Sequence, residues 1–120
     1  QEKILFVDDE KTIVKVGKRL LESLNYKVSV FCNSVEALDA FKAEPDAYKA
    51  VIADWTMPQM TGDRLAAEIK KINPSVPVIL CTGLNEIDFP EHFEALGIKD
   101  FYKKPISKSE LALALNNVLK

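Results

Sequence analysis

The sequence predicts an α/β domain in which five successive β-α units form a doubly wound, five-stranded parallel sheet. Two patterns support this fold class. Short apolar runs rich in β-branched residues are typical of parallel strands that are covered on both faces. Between them lie stretches with an apolar residue every three or four positions, as in amphipathic helices. Strands that alternate with helices imply right-handed crossovers and hence a parallel sheet.

Each predicted element follows one of these two patterns. The predicted strands are Ile4–Val7, Val28–Val30, Val51–Ala53, Val78–Cys81 and Phe101–Tyr102. The second is expected near a sheet edge because its apolar and polar residues alternate, and the fifth has the weakest pattern. In the first helix the apolar positions are Ile13, Val16 or Gly17, Leu20 and Leu24, and in the second they are Val35, Leu38 and Phe41. In the third helix they are Leu65, Ile69 and Ile72, and in the fifth they are Leu111, Leu115 and Val118. The fourth helix is expected to begin near Pro90, since proline is favoured in the first turn of a helix.

Local signals mark where the helices begin and end. The residues expected to stop helices are Asn25, Asn73 followed by Pro74, and Gly97. Ser34 and Ser107 are predicted N-caps. Glu110 stands three residues after Ser107, which is the spacing of a capping box.

Length and composition restrict the class of protein. A chain of 120 residues that is 48% hydrophobic, with a net charge of −2, indicates one soluble globular domain spanning residues 1–120. The balance of 16 basic and 18 acidic residues argues against direct binding of nucleic acid. No apolar run approaches the ~18 residues of a membrane span, so we expect no membrane insertion. Cys32 and Cys81 lack zinc or disulfide spacing and are expected to be buried apolar residues of a cytoplasmic protein.

The polar residues that could carry chemistry follow the predicted strands. In an open α/β sheet, ligands bind beyond the carboxyl ends of the strands. The residues expected at this edge are Asp8, Asp9 and Glu10 after the first strand, Asp54 after the third, Thr82 after the fourth and Lys104 after the fifth. Taken singly, each has an ordinary explanation as a helix cap, a turn residue or part of a loop.

Taken together, these residues indicate phosphoryl transfer. Asp8, Asp9 and Asp54 would repel one another at one edge without a cation. Mg²⁺ fits best, because it prefers oxygen ligands and uses few carboxylates. A carboxylate beside bound Mg²⁺ can attack phosphorus and form an acyl phosphate. Thr82 and Lys104 could then help to neutralise the phosphoryl oxygens.

Four motifs carry a resemblance to a known family. They are Val7-Asp8-Asp9-Glu10, the run from Asp54 to Gly62 with the pattern Asp-x-x-Met-Pro-x-Met-x-Gly, Thr82-Gly83, and Lys104-Pro105-Ile106. Over essentially its whole length the chain resembles the receiver domain of bacterial two-component response regulators, such as chemotaxis regulators. The resemblance implies a flavodoxin-like strand order of 2-1-3-4-5.

The resemblance also implies roles for the site residues. Asp54 would accept phosphate from a phosphohistidine of a sensor histidine kinase or a histidine phosphotransfer domain. Asp9, Asp54 and the backbone carbonyl of Thr56 would ligate Mg²⁺ directly, with Asp8 acting through water. Thr82 and Lys104 would contact the phosphoryl group, and the peptide bond after Lys104 is commonly cis in the family, which costs little before proline.

A conformational switch is part of the same implication. Phe101, three residues before Lys104, stands at the family's aromatic switch position, although a simple core aromatic is the alternative explanation. As Thr82 moves toward the phosphate, the ring would turn inward and repack the face formed by the fourth helix, the fifth strand and the fifth helix. An effector domain or protein could bind there. Phe101 lacks the hydroxyl of the more frequent tyrosine, and Pro90 alters the usual start of the fourth helix.

Three further features concern the lifetime of the phosphorylated state, the one histidine and the kind of protein that carries the domain. Thr56 and Leu84 stand where the family controls access of the hydrolytic water. His92, the only histidine, is expected to be a solvated helix residue. The run from Val78 to Gly83 is similar to receivers of hybrid sensor kinases.

Two alternative functions remain open from the sequence. One is a Mg²⁺-dependent phosphohydrolase with an aspartyl nucleophile, although such enzymes usually carry Asp-x-Asp at the first strand and a cap. The other is a receiver-like binding module that works without phosphorylation. The favoured interpretation is a signalling module that catalyses only its own phosphorylation and dephosphorylation.

Overall fold

The helices and strands follow the predicted order. The computed structural model describes residues 3–55, 57–82, 98–103 and 107–119, with the backbone alone at positions 82, 98–101 and 103. The strands are β1 (Lys3–Val7), β2 (Lys27–Phe31), β3 (Ala50–Asp54), β4 (Val78–Thr82) and β5 (Ile98–Lys103). The helices are α1 (Lys11–Ser23), α2 (Ser34–Ala43), α3 (Gly62–Ile72) and a helix over Lys108–Leu119, here called the last helix. The predicted fourth helix lies outside the described residues.

The five strands form one parallel sheet in the order β2-β1-β3-β4-β5. This confirms both the predicted fold class and the strand order that the resemblance implied. β2 lies at an edge, and its Val28 and Val30 are only half-buried, as the alternating pattern predicted. Because neighbouring parallel strands end at the same edge of the sheet, the ends of β1 and β3 lie side by side.

Hydrophobic residues cover both faces of the sheet. The first core cluster contains Leu5, Val51 and Ala53 of the strands and packs on α2 and α3, through residues that include Leu38, Phe41, Leu65 and Ile69. The second core cluster contains Ile4, Phe6 and Ile52 and packs on α1 and the last helix, through residues that include Leu21, Leu111 and Leu115. Alternate residues of β1, β3 and β4 therefore face opposite clusters. Burial on both faces is the physical reason for the continuous apolar runs.

The apolar stripes of two helices differ from the predicted ones in detail. Of the two candidates in α1, Gly17 is buried and Val16 is 51% exposed, so Gly17 faces the core. The prediction that Val35 faces the core is wrong, because Val35 is 44% exposed. The buried residues of α2 are Ser34, Ala37, Leu38 and Phe41. That stripe begins one residue earlier than expected and leaves Val35 on the solvent side.

The end of α1 is a Schellman motif at the predicted stop. Asn25 has a positive φ of 71°, the left-handed conformation that asparagine tolerates better than most residues. The Asn25 N–H donates to the Glu22 carbonyl at 3.0 Å, and the Tyr26 N–H donates to the Leu21 carbonyl at 3.1 Å. These two bonds satisfy carbonyls that the helix itself leaves open.

The two predicted N-caps have different outcomes. At α2 the cap is Asn33, whose side-chain oxygen accepts from the N–H groups of Val35 at 2.8 Å and Glu36 at 3.2 Å. The prediction of Ser34 as the cap is therefore wrong by one residue. The capping box of the last helix is confirmed: the Glu110 N–H donates to Ser107 Oγ at 3.1 Å, and the Ser107 N–H donates to Glu110 Oε1 at 3.0 Å.

Both cysteines carry free thiols. Cys81 is buried as predicted, whereas Cys32 is only half-buried. Among the described residues, no helix has the length and apolar character needed to cross a membrane.

Candidate functional site

Three carboxylates meet at the carboxyl edge of the sheet. Asp8 and Asp9 follow β1, and Asp54 is the last residue of β3, the strand beside β1. One carboxylate oxygen from each of the three residues lies within 4.8 Å of the others. Asp8 and Asp54 are 2% and 4% exposed, and Asp9 is exposed. The edge that the strand ends predicted therefore holds a compact acidic cluster.

Hydrogen bonds shape the turn that carries Asp8. Its N–H donates to the Phe31 carbonyl at the end of β2, at 3.1 Å, which continues the sheet by one residue. Its carboxylate oxygen Oδ1 accepts from the Glu10 N–H at 2.9 Å, which closes the turn before α1. The residue at the N-cap position of α1 is Glu10, and its side chain makes no capping hydrogen bond. Helix capping therefore does not explain Asp8 and Asp9.

The backbone after Asp54 is held from two sides. The Trp55 N–H donates to the Cys81 carbonyl of β4 at 2.8 Å, and the Trp55 carbonyl accepts from the Gly62 N–H at 2.8 Å. Gly62, the first residue of α3, is buried against this segment. Gly62 is the last residue of the motif that begins at Asp54, but the sequence indicated no role for it. A glycine at the start of a helix, eight positions after a candidate nucleophile, was the available signal.

The donor set fits a hard divalent cation. Carboxylate oxygens are the ligands that Mg²⁺ prefers, at bond lengths near 2.0–2.1 Å. Ligands on opposite sides of such an ion are about 4.2 Å apart. The oxygens of Asp8, Asp9 and Asp54 lie within 4.8 Å of one another, which is close to that separation. The cluster therefore has the donor type and the approximate size of a Mg²⁺ site.

Comparison with known proteins identifies the family. Residues 4–116 match the response regulator receiver domain. The chain belongs to this family. Receiver domains are signalling domains, so the interpretation as a phosphohydrolase with its own small-molecule substrate is not supported.

Relatives of this receiver domain occur in longer proteins of different kinds. It is 33% identical over 120 residues to a probable transcriptional regulator, ycf27, of Cyanidium caldarium, covering 100% of this chain and 47% of that protein. It is 31% identical over 116 residues to the sensor kinase CckA of Brucella abortus, covering 97% of this chain and 12% of the kinase. The chain therefore spans less than half of each of these relatives.

A solved structure agrees with the fold. The crystal structure of a response regulator receiver domain protein from Clostridium thermocellum has a TM-score of 0.92 and 34% sequence identity, and the match covers 99% of this chain and 94% of that one.

The other predicted site residues of the receiver domain are described only in part. Thr82 ends β4 at the same edge as Asp54, and its register partner in β5 is Lys103. Phe101 pairs with Leu80 in the sheet. The side chains of Thr82 and Phe101 lie outside what the structure describes. Thr56, Gly83, Leu84, Pro90, His92, Gly97, Lys104, Pro105 and Ile106 also lie outside the described residues.

The aromatic residue beside the predicted switch has a different place. Tyr102 is half-buried and packs against the second core cluster, on the side of the sheet that carries α1 and the last helix. Its register partner is Cys81, a member of the same cluster. Tyr102 therefore belongs to the core between the sheet and these two helices.

Proposed function

We propose that this receiver domain accepts a phosphoryl group on Asp54 from a phosphohistidine of a sensor histidine kinase or a histidine phosphotransfer domain, in a Mg²⁺-dependent reaction. The observation that carries the proposal is the meeting of Asp8, Asp9 and Asp54 within 4.8 Å. Three carboxylates at one sheet edge repel one another, whereas a divalent cation would hold them together.

The chain's own groups have separate tasks in this reaction. Asp8, Asp9, Asp54 and the backbone carbonyl of Thr56 would hold the ion. When bound, Mg²⁺ neutralises the charge that develops on the phosphoryl oxygens. One Asp54 oxygen attacks phosphorus, an oxygen–phosphorus bond forms, and the phosphorus–nitrogen bond to the donor imidazole breaks. The electron pair of that bond stays on the imidazole nitrogen, which takes up a proton. Asp54 becomes an aspartyl phosphate.

Thr82 and Lys104 are proposed to contact the transferred group. The end of β4 beside Asp54 supports this role for Thr82, because its backbone lies at the acidic edge. Lys104 follows Lys103, the register partner of Thr82. A hydroxyl and an ammonium at these positions would stabilise the added negative charge.

Phosphorylation is proposed to switch the face formed by the predicted fourth helix, β5 and the last helix. Thr82 would move toward the phosphate, and Phe101 would turn inward. The register of β5, with Phe101 beside Leu80 and Tyr102 beside Cys81, supports Phe101 rather than Tyr102 as the switch residue. Water attacking the phosphorus of the aspartyl phosphate would restore the carboxylate and release inorganic phosphate, with Thr56 and Leu84 controlling its access.

We further propose that residues 1–120 form one receiver domain and that it works in the cytoplasm. The match over residues 4–116 and the single sheet support the first point. The free thiols of Cys32 and Cys81 support the second, since reducing conditions keep thiols unpaired. An effector domain or protein would read the switched face.

Phosphorylation by a small donor tests the proposal. Acetyl phosphate with Mg²⁺ is expected to add one phosphoryl group to the wild-type chain, measured by intact-protein mass spectrometry. Asp54→Asn should remain unmodified. Asp39→Asn, which removes an exposed carboxylate of α2, is the matched control and should behave as wild type.

Two outcomes would contradict the proposal. A wild-type chain that stays unmodified would favour a binding module that works without phosphorylation. Rapid hydrolysis of unrelated phosphomonoesters would favour a phosphohydrolase.

A further inference from the structure

Gly62 touches the backbone of Asp54. A Cβ atom at position 62 would overlap the Asp54 carbonyl oxygen and would lie 2.9 Å from the Trp55 Cα. Both neighbours are main-chain atoms, so they cannot rotate away as the end of a side chain could. The first turn of α3 can approach the end of β3 this closely only because residue 62 has no side chain.

Hydrogen bonds also prevent the Asp54–Trp55 backbone from moving away from Gly62. The Trp55 N–H donates to the Cys81 carbonyl of β4 at 2.8 Å, and the Trp55 carbonyl accepts from the Gly62 N–H at 2.8 Å. Residue 55 is therefore held between β4 on one side and α3 on the other. A side chain at position 62 would have to push α3 outward or displace the peptide that follows Asp54.

Outward movement of α3 is resisted by its packing. Leu65, Ala66 and Ile69 of this helix are all 0% exposed and belong to the first core cluster. The side chain of Thr61, the N-cap residue, makes no capping bond, whereas the Gly62 N–H donates to the Trp55 carbonyl and so links the first turn of α3 to the end of β3. Part of any displacement at position 62 would therefore reach Asp54.

We propose that Gly62 is a positioning residue: through the Asp54–Trp55 backbone it sets where the Asp54 carboxylate stands relative to Asp8 and Asp9. This inference rests on the proposed function. Mg²⁺ demands near-ideal octahedral geometry, so an acidic site with one displaced carboxylate binds it more weakly. A misplacement of about 1 Å can reduce a reaction rate by about 100-fold.

The alternative is that Gly62 matters only for packing and stability. The two explanations differ in the property that changes. A packing role lowers the free energy of unfolding and leaves the folded site intact, whereas a positioning role also weakens metal binding and phosphorylation in chains that are folded.

The test compares Gly62→Ala with Ala66→Gly. Ala66 lies one turn further along α3, where it is buried in the first core cluster, and it serves as the matched control for a loss of packing. Ala66→Gly lowers stability through helix propensity and lost packing. Binding of Mn²⁺, a substitute for Mg²⁺, is measured from the loss of the free-ion electron paramagnetic resonance signal. Phosphorylation by acetyl phosphate is measured in parallel, and urea unfolding gives the stability of each variant.

We expect both variants to be less stable than wild type. Gly62→Ala should bind Mn²⁺ about 10-fold or more weakly and accept phosphate about 10- to 100-fold more slowly. Ala66→Gly should stay within about twofold of wild type in both measurements. If Gly62→Ala is poorly folded, the measurements are repeated in trimethylamine N-oxide, which favours the compact state.

Three results would overturn the inference. One is a folded Gly62→Ala chain with wild-type Mn²⁺ affinity and phosphorylation. Another is an equal loss in Ala66→Gly. The third is a Gly62→Ala chain that stays unfolded in the osmolyte, because a positioning role predicts a folded chain with a displaced site. Failure of the wild-type chain to bind metal and accept phosphate would instead contradict the proposed function.

Discussion

Gly17 of α1 lies directly against the ring of Phe6 in β1. A Cβ atom at position 17 would come within 2.5 Å of Phe6 Cζ, so neither residue can become larger unless the other moves or becomes smaller. This contact explains why a glycine occupies the core-facing stripe of α1, where the apolar pattern alone left Val16 as an equal candidate.

Gly17→Ala is expected to lower the free energy of unfolding by about 1 kcal/mol. The gain in helix propensity of about 1 kcal/mol is outweighed by overpacking, which typically costs about 1–3 kcal/mol. The cost should be near the middle of that range, about 2 kcal/mol: three atoms of the Phe6 ring crowd the new Cβ, but Phe6 borders a cavity of about 360 Å³ into which the ring can shift. In a Phe6→Leu background, the same change should stabilise by up to about 1 kcal/mol. Urea unfolding of the four chains measures this coupling, and additive effects would contradict the contact.

Alanine substitutions of Asn33 and Ser34, at the start of α2, are expected to change the free energy of unfolding differently. Asn33→Ala should cost about 1 kcal/mol, because the side chain accepts from the N–H groups of Val35 and Glu36. Ser34 is fully buried, and its Oγ has no hydrogen-bond partner among the described residues. Ser34→Ala should therefore be neutral or stabilising by up to about 1 kcal/mol. A larger loss for Ser34→Ala than for Asn33→Ala in urea unfolding would restore Ser34 as the cap.

The capping box of the last helix gives a third stability prediction. Ser107→Ala should lower the free energy of unfolding by about 1 kcal/mol, because the Glu110 N–H loses its acceptor. Ser109→Ala is the control. It removes only an exposed hydroxyl 3.2 Å from Ser107 Oγ and should change stability by less than about 0.5 kcal/mol. Equal losses in the two variants, measured by chemical denaturation, would rule out the capping box as a source of stability.

The acidic cluster predicts a stability that depends on divalent metal. Two unit charges at 4.8 Å, the spread of the carboxylate oxygens, interact by about 1–3 kcal/mol in surroundings between water and protein surface. In EDTA, Asp9→Asn should therefore raise the free energy of unfolding by about 1 kcal/mol. Mg²⁺ should raise the melting temperature of the wild type and raise that of Asp9→Asn much less, because the variant binds the ion more weakly.

Thermal unfolding with EDTA and with Mg²⁺ measures this effect. Asp39→Asn on the exposed side of α2 serves as the control and should respond to Mg²⁺ as the wild type does. An Asp9→Asn chain that is destabilised in EDTA would show that the three carboxylates do not repel one another in the folded state.

Much of this fold could be predicted because its signals are local. Strands buried on both faces must be apolar at every position, and the runs at Ile4–Val7 and Val51–Ala53 satisfy that requirement without reference to the rest of the chain. The stop at Asn25 and the capping box at Ser107 depend on contacts within a few residues. The acidic edge could be predicted as well, since parallel strands end on the same side of a sheet, Asp8 directly follows β1 and Asp54 ends the neighbouring β3.

Contacts between distant segments could not be predicted in this way. The place of Gly17 depends on the Phe6 ring, and the crowding at Gly62 depends on how closely α3 approaches β3. The exposure of Val35 follows from where Asn33 starts α2, a choice between two good capping residues that local preference does not decide.

The sequence by itself determined the sheet, its flanking helices and the acidic edge, and only the tertiary structure decided the side of the sheet on which Tyr102 of β5 lies. The pairing of β4 with β5 shifts after Val78, so that Ile79 pairs with Asp100 and Lys99 is an extra residue. The shift places Tyr102 beside Cys81 and Phe101 beside Leu80. A shift of one residue exchanges the faces of every following side chain. Hydrogen bonds between β4 and β5 set that register. It could therefore not be predicted from the adjacent aromatic residues Phe101 and Tyr102 alone.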